Sequence, residues 1–191
     1  MQELKDQVLA FWFGEPGSAG YGRSRKEWFR KEAVFDAEIR ARFGAAVESA
    51  LAGGFADWTA SRAALARVLL LDQFTRNIFR DTPRAFAGDS LARETAEAAI
   101  ARGDDLKMNP VERRFLYLPF SHAESLAAQQ RSVALCARLR DETGDGDALF
   151  WAEKHAAVIR RFGRYPHRNA ILGRTSTPEE IAFLAEPSSR F

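Results

Sequence analysis

A single cysteine, Cys136, in 191 residues excludes a disulfide framework and any zinc site built on cysteines; a reducing compartment, the cytoplasm, is the expectation. Long apolar runs are missing too. The stretch Val8-Leu-Ala-Phe-Trp-Phe13 is six residues long and follows Glu3 and Asp6 rather than a basic segment, so it does not read as a secretory signal. Nothing approaches the ~18 apolar residues of a membrane span, and no membrane partner is expected. Alternating β-branched runs, the mark of half-buried strands, are absent. So are the Gly-x-x-x-x-Gly-Lys-Ser/Thr phosphate loop, Gly-x-Gly-x-x-Gly after a strand, His-Glu-x-x-His and the Gly-x-Ser-x-Gly elbow. Three histidines with dispersed carboxylates do not spell a metal site, and no metal or cofactor is expected.

What is present describes one folded domain over residues 1–191: 46% apolar and 12% aromatic residues suffice for a sizeable core, and no Pro/Ser-rich linker or low-complexity tract divides the chain. Lysine is scarce, five against 23 arginines. The formal net charge is only +2, yet Arg160–Arg174 holds five arginines and His167 with no acid, leaving −3 for the remaining residues. The basicity is therefore local, as for an anion site rather than a protein coated by polyanions.

Helix start and stop signals recur along the chain, and the reading is all-α, a bundle of seven or eight helices. Residues 3–13 are amphipathic and end at Gly14. Ser24 with Glu27 predicts a capping box. Residues 34–52 carry Phe35, Ile39, Phe43, Val47 and Leu51 at near-helical spacing, with Gly53-Gly54 as the stop. Residues 59–78 are apolar on nearly all sides, which predicts a helix through the centre of the fold. Asp89 caps a helix ending near Gly103, and Asn109-Pro-Val-Glu112 is a strong start signal. Pro119 should break or kink that helix, after which Ser121-x-x-Glu124 begins another to about residue 140. Residues 148–162 and a short helix after Thr177 complete the set. No internal repeat is detectable.

Leu71-Asp-Gln-Phe-Thr-Arg-Asn-Ile-Phe-Arg80, Phe115-Leu-Tyr-Leu-Pro-Phe-Ser-His-Ala-Glu124 and Arg161-Phe-Gly-Arg-Tyr-Pro-His-Arg-Asn-Ala-Ile-Leu-Gly-Arg174 together resemble the signatures of a bacterial and eukaryotic family, domain of unknown function 924. Val8–Gly14 and Trp28-Phe29 extend the resemblance over nearly the whole chain. It implies an all-helical domain of the tetratricopeptide-like superfamily, with helical-hairpin packing but no recognisable sequence repeat. It implies no activity. At Thr75 the family pattern carries proline, so here the helix is expected to run more smoothly through Arg76.

Asp72 and Arg76 stand four apart on the most apolar helix and can pair there, either as a structural tether or as part of a polar pocket. His122 and His155 each lie on an apolar stripe and should point inward, with Glu124 two residues beyond His122. His167 follows Pro166 in an irregular segment, where Arg164, Arg168 and Asn169 could hold a phosphate or carboxylate. The alternative has those arginines stacked on aromatic rings or bonded to helix-end carbonyls. Cys136 reads as a small buried hydrophobe.

The leading functional expectation is a binding module whose concave polar pocket takes a small anion or an acidic peptide group. Arg76, Arg164, His167, Arg168 and Asn169 would be its binding residues. The alternative is a hydrolase or transferase with His122, His155, Asp72 and Glu124 as catalytic candidates. A third reading, RNA binding through residues 160–174, is less favoured because the rest of the chain is acidic. Oligomeric state is not legible.

Overall fold

The computed structural model describes residues 3–186 and residue 189. Among them it is all-α, with no strand. The α-helices are α1 (Leu4–Phe13), α2 (Ala33–Leu51), α3 (Ser61–Val68), α4 (Thr75–Ile78), α5 (Asp89–Ala101), α6 (Pro110–His122), α7 (Leu126–Thr143), α8 (Asp147–Phe162) and α9 (Pro178–Leu184). A π-helical stretch, Leu69–Phe74, joins α3 to α4, so residues 61–78 form one continuous helical run and the rods number eight. The chain gathers into two compact units. The first holds residues up to Arg80 with Arg84–Pro119, the second Asp81–Pro83 with the chain from Phe120 onward.

The first unit is built on aromatic rings. Trp12 and Phe13 of α1 are fully buried, and Trp12 stacks on Trp28 with centroids 5.8 Å apart. Phe115 of α6 meets Trp28 edge-on at 4.7 Å, while Phe74 contacts Phe43 at 5.1 Å. Such pairs each add about 0.5–1.5 kcal/mol beyond the area they bury. The C-terminal end of α1 is closed by Arg25, whose Nη1 donates to the Phe11 and Trp12 carbonyls at 2.7 and 3.1 Å, and by Trp28 Nε1, which donates to the Trp12 carbonyl at 3.1 Å. These bonds satisfy carbonyls that a helix terminus leaves without partners.

The run 61–78 is as buried as its composition demands, with Val68 to Thr75 all shielded from solvent. It continues through Arg76 without a break, and Leu69–Phe74 within it take a π register. Within it the Leu71 carbonyl accepts a hydrogen bond from the Thr75 hydroxyl at 2.8 Å. Gly88 lies so close to the same carbonyl that a Cβ there would stand 2.2 Å from the oxygen. A wider turn, a hydroxyl and a residue without a side chain thus converge on one backbone oxygen.

The second unit is a helical hairpin, α7 and α8 joined by the turn through Gly144, followed by a loop and α9. Val158 and Ile159 of α8 pack with Tyr165 and Phe183, and Phe162 closes over them. Cys136 lies buried within α7.

Three local expectations need correction. The Ser24–Glu27 box does not form: a 3-10 turn, Lys26–Phe29, begins after Arg25 with no side-chain cap. Pro119 does not end α6, which continues to His122, because a proline this near the C-terminus removes one hydrogen bond from a turn about to finish. The next helix consequently starts at Leu126, capped by the Ser125 hydroxyl rather than by Ser121, and His122 ends one helix instead of opening another. At Asn109 the predicted box is present, with Glu112 N–H donating to Asn109 Oδ1 at 3.0 Å and Asn109 N–H to Glu112 Oε2 at 3.2 Å. Thr177 and Glu180 form a second one at the start of α9.

Candidate functional site

Asp72 lies at the π stretch, 0% exposed. A buried carboxylate must be compensated, and Gln73 Nε2 donates to its Oδ2 at 2.6 Å while Arg76 Nη1 lies 3.1 Å from Oδ1. Arg76 also donates to the Asp72 carbonyl at 2.7 Å and grips Asp89 through two bonds of 2.8 and 3.0 Å. One helical turn on, Asn77 and Arg80 both donate to Asp36. Asp72 and Arg76 are thus tied into an ion network of the first unit that fixes the π stretch against α5.

The other sequence candidates belong to the second unit, and there the structure brings together all three histidines of the chain. Tyr165, fully buried, is the hub. His155 meets its ring at a centroid distance of 5.8 Å and His167 at 5.4 Å, and His122 lies 6.2 Å from His155. Arg168, 6% exposed, places its guanidinium over the Tyr165 ring at 4.6 Å. The Tyr165 hydroxyl donates to the Ser121 carbonyl and accepts from Gln129 Nε2 at 2.9 Å. That amide also donates to the Ser121 and Ala123 carbonyls, both at 2.8 Å, so the end of α6 and the hub tyrosine are held by one glutamine.

His155 Nδ1 is 2.7 Å from the Trp151 carbonyl. A carbonyl only accepts, so the proton sits on Nδ1 and Nε2 carries the lone pair. Burial pushes the pKa of His155 down to about 4, with His122 adding to the effect. His167 is likewise pushed down to about 4 by burial and then by the Arg168 charge. Both rings are neutral at physiological pH.

The basic segment is largely spoken for. Arg161 pairs with Glu179 at 3.0 Å, Arg164 holds Glu180 through bonds of 2.6 and 2.8 Å, and Arg174 holds Glu124 through bonds of 2.6 and 2.9 Å. Glu124 additionally accepts the Tyr165 N–H at 2.8 Å. Burial works to raise the Glu124 pKa, but Arg174 and that N–H outweigh it and hold the carboxyl below its usual range. Asn169, buried, donates to Ser176 and Glu180, and its Oδ1 has no hydrogen-bond partner among the described residues. Of the residues expected to bind, His167 and Arg168 therefore line the hub, Arg76 belongs to the ion network of the first unit, and Arg164 and Asn169 hold Glu180 of α9. Tyr165 was legible only as a ring on which an arginine of the segment could stack, as Arg168 does, and Gln129 gave no sequence signal, since a mid-helix glutamine is an ordinary surface pattern.

A family model described as "Bacterial protein of unknown function (DUF924)" matches residues 8–188. The chain belongs to this family. No curated protein matches it. Among solved structures, a protein of unknown function from Agrobacterium tumefaciens is similar at 42% identity over 95% of this chain and 97% of that one, with a TM-score of 0.83. In this DUF924 member no group of three or more His, Cys, Asp or Glu among the described residues is placed to hold a metal ion. No helix among them is long and apolar enough to cross a membrane. The hub offers neutral imidazoles, which donate and accept hydrogen bonds, beside one permanently charged guanidinium.

Proposed function

We propose that the protein binds a small anionic metabolite at the second unit, with Arg168 as the cation and His122 and the neutral rings of His155 and His167 as hydrogen-bonding walls beside Tyr165. The observation that carries the reading is the gathering of every histidine in the chain, two of them kept neutral by burial, beside a buried arginine. A neutral imidazole has one N–H to donate to a carboxylate or phosphate. That of His155 is held by the Trp151 carbonyl, so its Nε2 can only accept a proton the ligand carries, while a buried guanidinium supplies a charge that water screens poorly. The α7–α8 hairpin is the feature that favours the tetratricopeptide-like placement.

Catalysis is the weaker reading. A histidine whose pKa lies near 4 is unprotonated at neutral pH but a poor proton acceptor. Glu124, the carboxylate proposed to orient it, is already clamped by Arg174. RNA binding through residues 160–174 loses its basis in the three arginines paired with carboxylates.

The test is calorimetric titration of the purified protein with inorganic phosphate, then with small phosphate esters and di- and tricarboxylates, repeated on Arg168→Gln. At least one anion class should bind and raise the melting temperature by mass action, with affinity falling at least tenfold in the variant. Failure of all of these anions to bind, or equal binding by a stable Arg168→Gln variant, defeats the proposal.

A further inference from the structure

The charge that segment 160–174 loses to internal pairing is present elsewhere. Arg23-Ser-Arg-Lys-Glu-Trp-Phe-Arg-Lys31 carries five cations and one acid in nine residues. Arg25 is turned inward, onto the carbonyls that end α1, with Glu27 3.9 Å from its guanidinium. Arg23, Lys26 and Arg30 are exposed and have no carboxylate partner among the described residues. Long cations left in water beside each other repel, and this cost is recovered when an anion lies across them.

Two further features of the first unit adjoin these charges. A pocket of about 570 Å³ is lined by Arg23 and Ser24 with Phe13, Gly14 and Gly20 among its other walls. Gly14, at φ +86, and Gly20 bring bare backbone to its edge. Phe29 is 57% exposed even though its neighbour Trp28 is buried. It is held in place from beneath, 6.3 Å from Trp28 and nearly parallel to Phe115 at 6.4 Å, and Arg114 sits 5.2 Å from its ring. Phe13 and Trp28 are 5.9 Å apart, so a short run of ring contacts links the pocket to the exposed phenylalanine.

We propose that this face of the first unit, Arg23, Ser24, Lys26, Phe29 and Arg30, binds single-stranded nucleic acid, the cations along the phosphodiester backbone and one base stacked on Phe29. The favoured occupant follows from the combination. Exposed arginine and lysine suit any polyanion, but a rigidly supported aromatic ring flanked by a guanidinium is a platform for a flat, π-bearing group, which phospholipid headgroups and acidic peptides lack. The pocket, of a size that holds a small organic group, admits a nucleotide at the Arg23 end. This site is separate in residues and chemistry from the histidine hub, so neither proposal depends on the other.

The experiment is fluorescence anisotropy of the full chain with a short labelled mixed-sequence RNA strand and the same sequence as DNA, between about 50 and 200 mM salt. Competitors are heparin, a mononucleotide and anionic phosphatidylserine vesicles. The wild type should bind one or both strands with affinity falling as salt rises. Arg23→Ala/Lys26→Ala/Arg30→Ala should flatten the slope of log affinity against log salt by about 2, from three lost contacts at roughly 0.7 each on a single strand. Phe29→Ala should weaken binding at least fivefold with the salt slope unchanged, a separation that a purely ionic surface does not give. Preference for RNA over DNA identifies the natural strand, and either supports the site. Absence of strand binding, binding undiminished in a triple variant of native melting temperature, an unaffected Phe29→Ala variant, or binding of vesicles but not of strands overturns it.

Discussion

Arg164 holds Glu180 in a two-pronged pair, with Nε 2.6 Å from Oε1 and Nη2 2.8 Å from Oε2. The carboxylate is 2% exposed and also accepts the Thr177 N–H that opens α9, so one side chain joins the loop after α8 to the last helix. Arg164, followed by that N–H and despite some desolvation, brings the Glu180 pKa down to about 2 from 4.5. A carboxylate depressed in this way stabilises the fold above the unfolded value, and the contribution drains as pH falls from about 4.5 toward 2. Glu180→Gln should cost about 2–3 kcal/mol at pH 7, the scale of charge-assisted hydrogen bonds, and progressively less as the pH drops through that window. Denaturant melts at neutral and acid pH measure both numbers.

The histidine hub has its own acid limb at higher pH. His155 and His167 are pushed down to about 4 from 6.5, so as pH falls below 6.5 the unfolded chain takes up protons that the folded chain refuses. Stability should therefore fall between pH 6.5 and 4, by at most about 1.4 kcal/mol per pH unit for each ring. His155→Gln should make that limb shallower even where it lowers stability overall. A melting-temperature profile whose slope over this range is the same in wild type and variant would contradict the neutral assignment.

Gly88→Ala should be among the most damaging single-methyl additions in the chain. Its Cβ would meet the Leu71 carbonyl at 2.2 Å, and backbone cannot swing aside as a side chain does. A loss above about 3 kcal/mol is expected, beyond ordinary overpacking. Gly44→Ala, within α2 and with nothing within 4 Å of the added carbon, should instead gain about 0.5–1 kcal/mol through helix propensity. The pair compares crowding with propensity by the same thermal melts.

Thr75→Pro should be tolerated far better than a proline inside α3. The wider π turn ends at Phe74, immediately before residue 75, and eases the clash with the preceding turn that a proline ring meets in a regular α-helix. The loss should be about 1–2 kcal/mol, the value of the Thr75 hydroxyl bond to Leu71, against about 3 kcal/mol or more for Ala66→Pro. Equal losses would mean that the register change does not accommodate proline.

Helix positions were legible wherever a local rule governs them. The stripe through Phe35, Ile39, Phe43 and Val47 located α2 to within a residue at each end, and the Asn109 box and the helix start at Thr177 formed as read. The π register was not legible, because it answers to groups remote in sequence, such as Gly88 against Leu71. Ser24 and Ser121 misled for the same reason: a capping motif states what a helix start would use, while the aromatic contacts of Trp28 and the grip of Gln129 on the end of α6 decided where helices begin. At the candidate site the inward direction of His155 was readable from its stripe, whereas that of His122 was read from the stripe of α7, a helix to which it does not belong because it closes α6. The pairing of Arg164 and Arg174 was not, since their acids, Glu180 and Glu124, lie 16 and 50 positions away.

Because the chain has only three histidines and all of them belong to one run of ring contacts with Tyr165, the protein carries its own spectroscopic label. Every imidazole resonance in a proton or nitrogen spectrum of the intact molecule originates within this one cluster. No isotope-selective labelling or engineered probe is needed to see a change there.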